Sequence, residues 1–189
     1  KRQVIIVPFI ATAIFLYQYT IGRDRGWDVS WIAFSFTFYP ILSAVALLLS
    51  GNLVDRFTGT RLFPLYLIPL LASLILMTLI SAKWILPLFY GLLGFSAGLG
   101  NTVKTAIQAE VYGTMNLGKI RSYFTTIMVI STAVGPPLFG YLIDKQVSLN
   151  LIFLMTAAIV LVVMLMSFKI SATRRVSVEE VAISAQRRG

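Results

Sequence analysis

Apolar residues run through this chain in long stretches separated by short polar connectors. A helix needs roughly 20 residues to cross a hydrocarbon layer of about 30 Å. Six stretches approach or exceed that length, at 4–20, 31–50, 62–81, 84–108, 120–143 and 149–168. The connectors carry turn and cap residues: Gly22 and Gly26 before Asp28 and Ser30, then Gly51 and Gly59, then Gly113 and Gly118. Hydrocarbon admits only helices or a closed barrel, because every backbone donor must be satisfied within the structure. A barrel needs apolar and polar residues in strict alternation. Leu47-Leu48-Leu49 and the run from Ile159 to Val163 show none. The pattern predicts an all-α membrane protein, with six transmembrane helices in residues 1–168 and a basic, disordered cytoplasmic tail in 169–189.

Composition strengthens this picture. Hydrophobic residues make up 58% of the 189 positions and charged residues 12%, about half the charge that a water-facing surface requires. Cysteine and histidine are both absent, so the sequence offers no disulfide, no metal centre and no cofactor attachment of the usual kinds. The formal net charge of +9 could mark a nucleic-acid groove. Here, however, the charges lie between and beyond the apolar runs, as they do around membrane helices. Lys1, Arg2, Arg56, Arg61, Lys119, Arg121, Lys169, Arg174, Arg175, Arg187 and Arg188 fall on one side of the predicted spans. Arg23, Arg25, Lys83 and Lys145 fall on the other. The richer side is expected to be cytoplasmic and to hold both termini. The chain begins at Lys1 with no signal peptide ahead of the first span, as expected of a fragment or a processed protein.

Two helix ends resemble each other. Gly51-Asn52-Leu53-Val54-Asp55-Arg56 and Gly140-Tyr141-Leu142-Ile143-Asp144-Lys145 share Gly, any residue, Leu, aliphatic, Asp and base, at an offset of 89 residues (51 to 140). Three crossings separate them, so they emerge on opposite faces. That is the expected mark of a 3+3 inverted repeat.

Gly51, Leu53, Asp55, Arg56, Gly59 and Arg61 resemble the signature loop of the major facilitator superfamily, with Gly59 one place later than usual. Ala109 to Gly113, Gly118 to Ser122, and Gly135-Pro136-Pro137 with Gly140 are also similar to bacterial members. The resemblance implies helices seven to twelve of a twelve-helix secondary transporter, half of that fold, in the bacterial inner (plasma) membrane. Its partners would be the lipid bilayer, a small-molecule substrate, and either the missing N-terminal six-helix half or a second copy. It further implies that the loop is a cytoplasmic latch between halves, and Glu110 is the natural local partner for its bases.

Transporter sites lie where small residues and helix breaks expose polar groups near the midplane. The fourth span carries Gly91, Gly94, Ser96, Gly98 and Gly100, running into Asn101. Gly94 and Gly98, one turn apart, also suit close helix packing. In the first span Gln18 tolerates lipid least, while its neighbours Tyr17 and Tyr19 suit either a cavity or the aromatic belt. The resemblance places both spans against the cavity. Tyr39 and Pro40 are weaker candidates. Lys104 is the one charge set back from a span end; its stem can snorkel to the cytoplasmic headgroups or turn toward an anionic solute. Gly135, Pro136, Pro137 and Gly140 form a candidate hinge, since the two prolines remove two helical hydrogen bonds. Nothing in the sequence forms a catalytic constellation. The expected function is alternating-access transport of a small solute, such as an organic anion or carboxylate. The rivals are a stand-alone six-helix protein that homodimerises and a non-transporting receptor or scaffold.

Overall fold

The computed structural model describes residues 2–57, 59–112 and 117–186, with side chains described over 7–54, 56–57, 59, 62–110 and 118–167. Eight helices follow in order: α1 (Arg2–Asp24), α2 (Val29–Phe36), α3 (Phe38–Phe57), α4 (Gly59–Leu62), α5 (Leu67–Leu79), α6 (Ile85–Tyr112), α7 (Leu117–Asp144) and α8 (Leu149–Gln186). They form six rods, because α2 and α3 are one path interrupted at Thr37 and α4 is a single turn leading into α5. No strand occurs among the described residues.

Three boundaries differ from the sequence expectation, each for a local reason. The second rod, expected unbroken over 31–50, is interrupted at Thr37. Pro40 lacks an N–H for the Phe36 carbonyl and crowds it. The Thr37 N–H bonds Phe34 O at 3.1 Å, a tightened turn. The third rod, expected over 62–81, is helical only from Leu67 to Leu79. Pro64 interrupts its start, and Leu65, Leu67 and Ile68 bond three residues back, to Leu62, Pro64 and Leu65. The last helix continues through Gln186, where a disordered tail was expected from 169. No Gly or Pro lies between 169 and 186 to stop it.

The surface is apolar and the interior holds small polar groups. Leu48 is 80% exposed and Leu79 74%, whereas Ser35, Ser50, Ser73 and Ser96 are fully buried. This inversion fits lipid as the surrounding solvent. Ser35, Ser50 and Ser73 satisfy themselves on their own helices, donating to the carbonyls of Trp31, Leu47 and Leu70, while Ser96 donates across to Tyr66 O. Among the described residues, Val29–Val54, Gly118–Asp144 and Leu149–Ser167 are long and apolar enough on composition to cross a membrane.

Helix α3 packs along α6, α1 along α7, and α5 against both α6 and α8. The α3–α6 seam is the closest. A Cβ on Gly94 would strike the Tyr39 carbonyl, and one on Gly98 would strike the Ser43 carbonyl and stand 2.8 Å from Ala46 Cβ. Glycine is therefore required at both positions. The main core gathers Ile10 and Ile14 of α1, Leu70 and Leu74 of α5, Phe89 and Leu93 of α6, and Phe153 of α8.

Candidate functional site

Four helix segments meet around the break in the second rod. Phe15 of α1 lies edge-on to Phe36 at 5.2 Å and to Tyr39 at 4.9 Å. Phe36 stacks on Tyr39 across the break and meets Tyr90 of α6 at 5.5 Å. The Tyr90 hydroxyl donates to Gln18 Oε1 at 3.1 Å. Gln18, Phe15, Phe36 and Tyr39 are half-buried, and Tyr90 is fully buried. The arrangement is a wall of aromatic rings carrying an amide and two phenols, in which the buried Tyr90 hydroxyl is bonded to Gln18 and the half-buried Phe15, Phe36 and Tyr39 offer the ring surface that remains. Of these residues, sequence reasoning favoured only Gln18 and ranked Tyr39 low. It missed Tyr90, whose only signal was a polar hydroxyl one turn before Gly94.

The other expected cavity residues separate. The Tyr17 hydroxyl lies against Gly140, where a Cβ would collide with it, so it packs α1 on α7. Ser96 is buried and donates to Tyr66 O at 2.6 Å, tying α6 to the start of α5. Asn101 is exposed, and its carbonyl accepts from the Thr105 hydroxyl. Lys104 is half-buried, with its Nζ 5.9 Å from the centre of the Tyr66 ring. At Gly100 a Cβ would stand 3.2 Å from Lys104 Cε and 2.9 Å from the Tyr66 ring. The lysine stem therefore lies back over the preceding turn of α6. That turn points toward Ile85 and away from the helix end carrying Glu110. Snorkelling toward the Glu110 end is not what the side chain does, because Gly100 leaves a notch that receives it and the ring face attracts the ammonium.

At that end Glu110 Oε1 accepts the Gly59 N–H at 2.7 Å. A Cβ on Gly59 would lie 3.0 Å from Ala106 Cβ and 3.1 Å from Ile107 Cγ1, so the loop docks on α6 through a position that only glycine fits comfortably. Arg56 is exposed, Leu53 half-buried, and Gly51 has open space around it. The side chains of Asp55 and Arg61 lie outside the described residues. In α7 the helix runs unbroken through Pro136 and Pro137, and Gly135 rests against the Phe9 carbonyl, where a Cβ would be 2.6 Å away.

At the opposite end Arg25 forms a clasp that sequence reasoning counted only as a charge. Its guanidinium donates to Met77 O at 2.7 Å, Ile80 O at 3.0 Å and Asn150 Oδ1 at 2.7 Å. The first two are carbonyls at the C-terminal end of α5, where a cation is favoured. Burial lowers the Arg25 pKa from its ordinary value while Asp24 pulls it upward; the group stays charged at neutral pH. Nearby, Lys83 and Asp28 pair at 3.6 Å in the open, and the Trp31 indole donates to Lys83 O at 2.9 Å.

A profile of the Major Facilitator Superfamily matches residues 4–186. Among curated proteins, "Multidrug resistance protein MdtG" of Salmonella typhimurium is 32% identical over 177 residues, covering 90% of this chain and 42% of the relative. "Multidrug resistance protein B homolog" of Mycobacterium tuberculosis is 27% identical over 132 residues, covering 70% of this chain and 24% of the relative. The chain thus spans less than half the length of these relatives.

Proposed function

The chain belongs to the major facilitator superfamily, and from that premise we propose that it forms one half of a secondary transporter. It would move a small organic solute by rocking against a partner half in a bacterial inner membrane, with both termini cytoplasmic. The partner is a preceding six-helix segment or a second copy. The observation that carries this reading is the Gln18–Tyr90 bond set inside the aromatic wall at the Thr37 break. A buried phenol and a half-buried amide set among apolar rings need a reason, and a ring-walled site with two phenols and an amide supplies one. Relatives named for multidrug resistance agree with a solute held largely by apolar contact.

A 3+3 inverted repeat gains support from packing. Exchanging the first three rods with the last three carries the α3–α6 seam into the α7–α1 seam and leaves the α5–α8 pair in place. The offset of 89 residues that relates Gly51 to Gly140 also relates contacts. It carries the Ala46–Gly98 contact into Gly135–Phe9, and the Ser50–Thr102 hydroxyl contact at 2.6 Å into Phe139 and Ala13, which share a buried cluster. The latch reading rests on Glu110 gripping the loop at Gly59. The hinge reading rests on the two prolines lying between Gly135 and Gly140, both held against α1.

The test is efflux of a panel of fluorescent aromatic dyes from cells expressing the full encoded protein. Tyr90→Phe and Gln18→Leu should slow efflux of the same dyes, and Asp55→Asn should abolish it at unchanged membrane abundance. The proposal fails if no dye moves, or if all three variants match the parent protein.

A further inference from the structure

Phe36 and Tyr39 turn to Phe15 of α1, but Phe34 and Phe38 line a separate groove of about 680 Å³ between the second rod and α6. Trp31 meets Phe34 at 5.6 Å and Phe34 meets Phe38 at 5.7 Å, so one wall is a continuous row of rings. Leu88, Gly91 and Phe95 of α6 form the facing wall. A Cβ on Gly91 would stand 3.6 Å from Leu42 Cγ, an ordinary contact. Helix packing therefore does not require this glycine as it requires Gly94; its missing side chain deepens the groove instead. Trp31 and Trp84 stand at one end, where indoles mark the border of hydrocarbon and water. The eleven positions from Trp84 to Phe95 (84 to 95) rise about 16 Å along α6. That is about half of a hydrocarbon core about 30 Å thick, the depth of a single leaflet.

The same end carries two opposite charges. The Trp31 indole donates to Lys83 O at 2.9 Å, which ties the connector before α6 to α2. Lys83 Nζ lies 3.6 Å from Asp28 Oδ2, with both side chains largely exposed. We infer that the groove seats one phosphatidylethanolamine molecule of the leaflet at the end away from Glu110. An acyl chain lies along the rings, the headgroup phosphate accepts from Lys83, and the headgroup ammonium donates to Asp28. An exposed ion pair holds itself weakly, so it opens to a headgroup at small cost. The two charges select the headgroup. A choline ammonium has no N–H for Asp28, and a glycerol headgroup brings a negative charge beside Asp28 with no cation to offset it.

The deciding experiment is photolabelling of the full encoded protein in phosphatidylcholine vesicles. The probe is a trace of phosphatidylethanolamine with a diazirine in its acyl chain, and labelled peptides are read by mass spectrometry. Exposed Leu154 and Leu165 of α8 report ordinary lipid contact. Label on the groove walls should exceed label at those two residues about tenfold, one decade of affinity, and a choline probe should show no excess. Gly91→Leu, which fills the groove, and Lys83→Gln, which leaves it open, should each abolish the excess. Asp28→Asn should pass it to a phosphatidylglycerol probe, which Lys83 alone then matches. The inference is overturned if the ethanolamine probe labels groove and α8 alike, or if the choline probe labels the groove as strongly. It is equally overturned if the excess survives Lys83→Gln, or if another part of the protein fills the groove and keeps label out. No solute moves in this measurement, so its outcome is independent of the transport reading.

Discussion

The α3–α6 seam makes the sharpest stability prediction. In Gly98→Ala the new methyl would stand 2.8 Å from Ala46 Cβ and collide with the Ser43 carbonyl. Carbon atoms in ordinary contact are about 3.5–4.0 Å apart, so α3 and α6 must separate by about 1 Å along this turn. Neither obstacle is a flexible side-chain tip; one is backbone and the other a methyl fixed to its helix. Overpacking of this kind costs about 1–3 kcal/mol. Gly94→Ala meets the Tyr39 carbonyl on the same seam, and the separation that relieves one clash relieves much of the other. The double variant should therefore lose less than the sum of the singles, by about 0.5 kcal/mol or more. Gly51→Ala is the control: it lies in α3 with nothing within 4 Å of its built Cβ, and better helix propensity should add up to about 1 kcal/mol. Thermal unfolding in detergent, followed through Trp27, Trp31 and Trp84, measures all four proteins. Gly98→Ala melting with the parent protein, or the two seam variants adding in full, would show that these glycines do not set the helix separation.

Three further changes follow from single contacts. Arg25→Met removes all three bonds of the clasp and should cost about 1–3 kcal/mol, with amide hydrogen exchange rising first at the C-terminal end of α5; unchanged exchange there would refute the clasp. Gly26 has a φ of +66°, so Gly26→Ala should destabilise by about 1 kcal/mol despite the empty space around it, and an unshifted melting curve would count against that backbone. Glu110→Gln keeps an acceptor for the Gly59 N–H but removes its charge, and should weaken the loop's docking by about 1 kcal/mol, read as faster proteolysis between α3 and α5. An unaltered cleavage rate would mean the charge contributes nothing there.

Much of the architecture is legible because a helix that crosses hydrocarbon must be apolar over most of its length. The six apolar runs therefore locate six rods, and the glycines of the fourth run mark the seam with α3. What escaped depends on single atoms or on distant partners. Pro40 was visible, but its effect falls on the carbonyl of Phe36, four residues earlier, and splits a span that hydropathy alone joins. Pro64 similarly shortens α5 at its start. The mixed charges after 168 looked like a solvated tail, although nothing there breaks a helix. The direction of Lys104 was out of reach, since periodicity gives the face of a residue but not the tilt of a long side chain. That tilt depends on a notch at Gly100 and a ring supplied by Tyr66 from another helix. Arg25 was counted for its charge, while its work is done by the geometry of its five N–H groups.

The proposed repeat gives these particulars a mechanical order. The two seams it relates are built from different materials. In the α3–α6 seam, Ser50 spends its hydrogen on Leu47 O at 2.6 Å, so the 2.6 Å contact with Thr102 is donated by Thr102, and a hydroxyl chain bolts the helices together. Gly94 and Gly98 bring the backbones into contact on the same seam. In the α1–α7 seam the corresponding positions are Ala13 and Phe139, which offer no directional bond, and α7 contains two prolines that leave the carbonyls of Thr132 and Ala133 without helical donors. A bonded seam resists sliding, whereas the α1–α7 seam is held by the packing of Tyr17 on Gly140 and of Gly135 on the Phe9 carbonyl, with no hydrogen bond across it among the described residues. On the proposed transport reading, rocking that keeps α3 and α6 together would bend α7 against α1. It would carry the aromatic wall of α1, α2, α3 and α6 as one body, with Lys104 fixed to it.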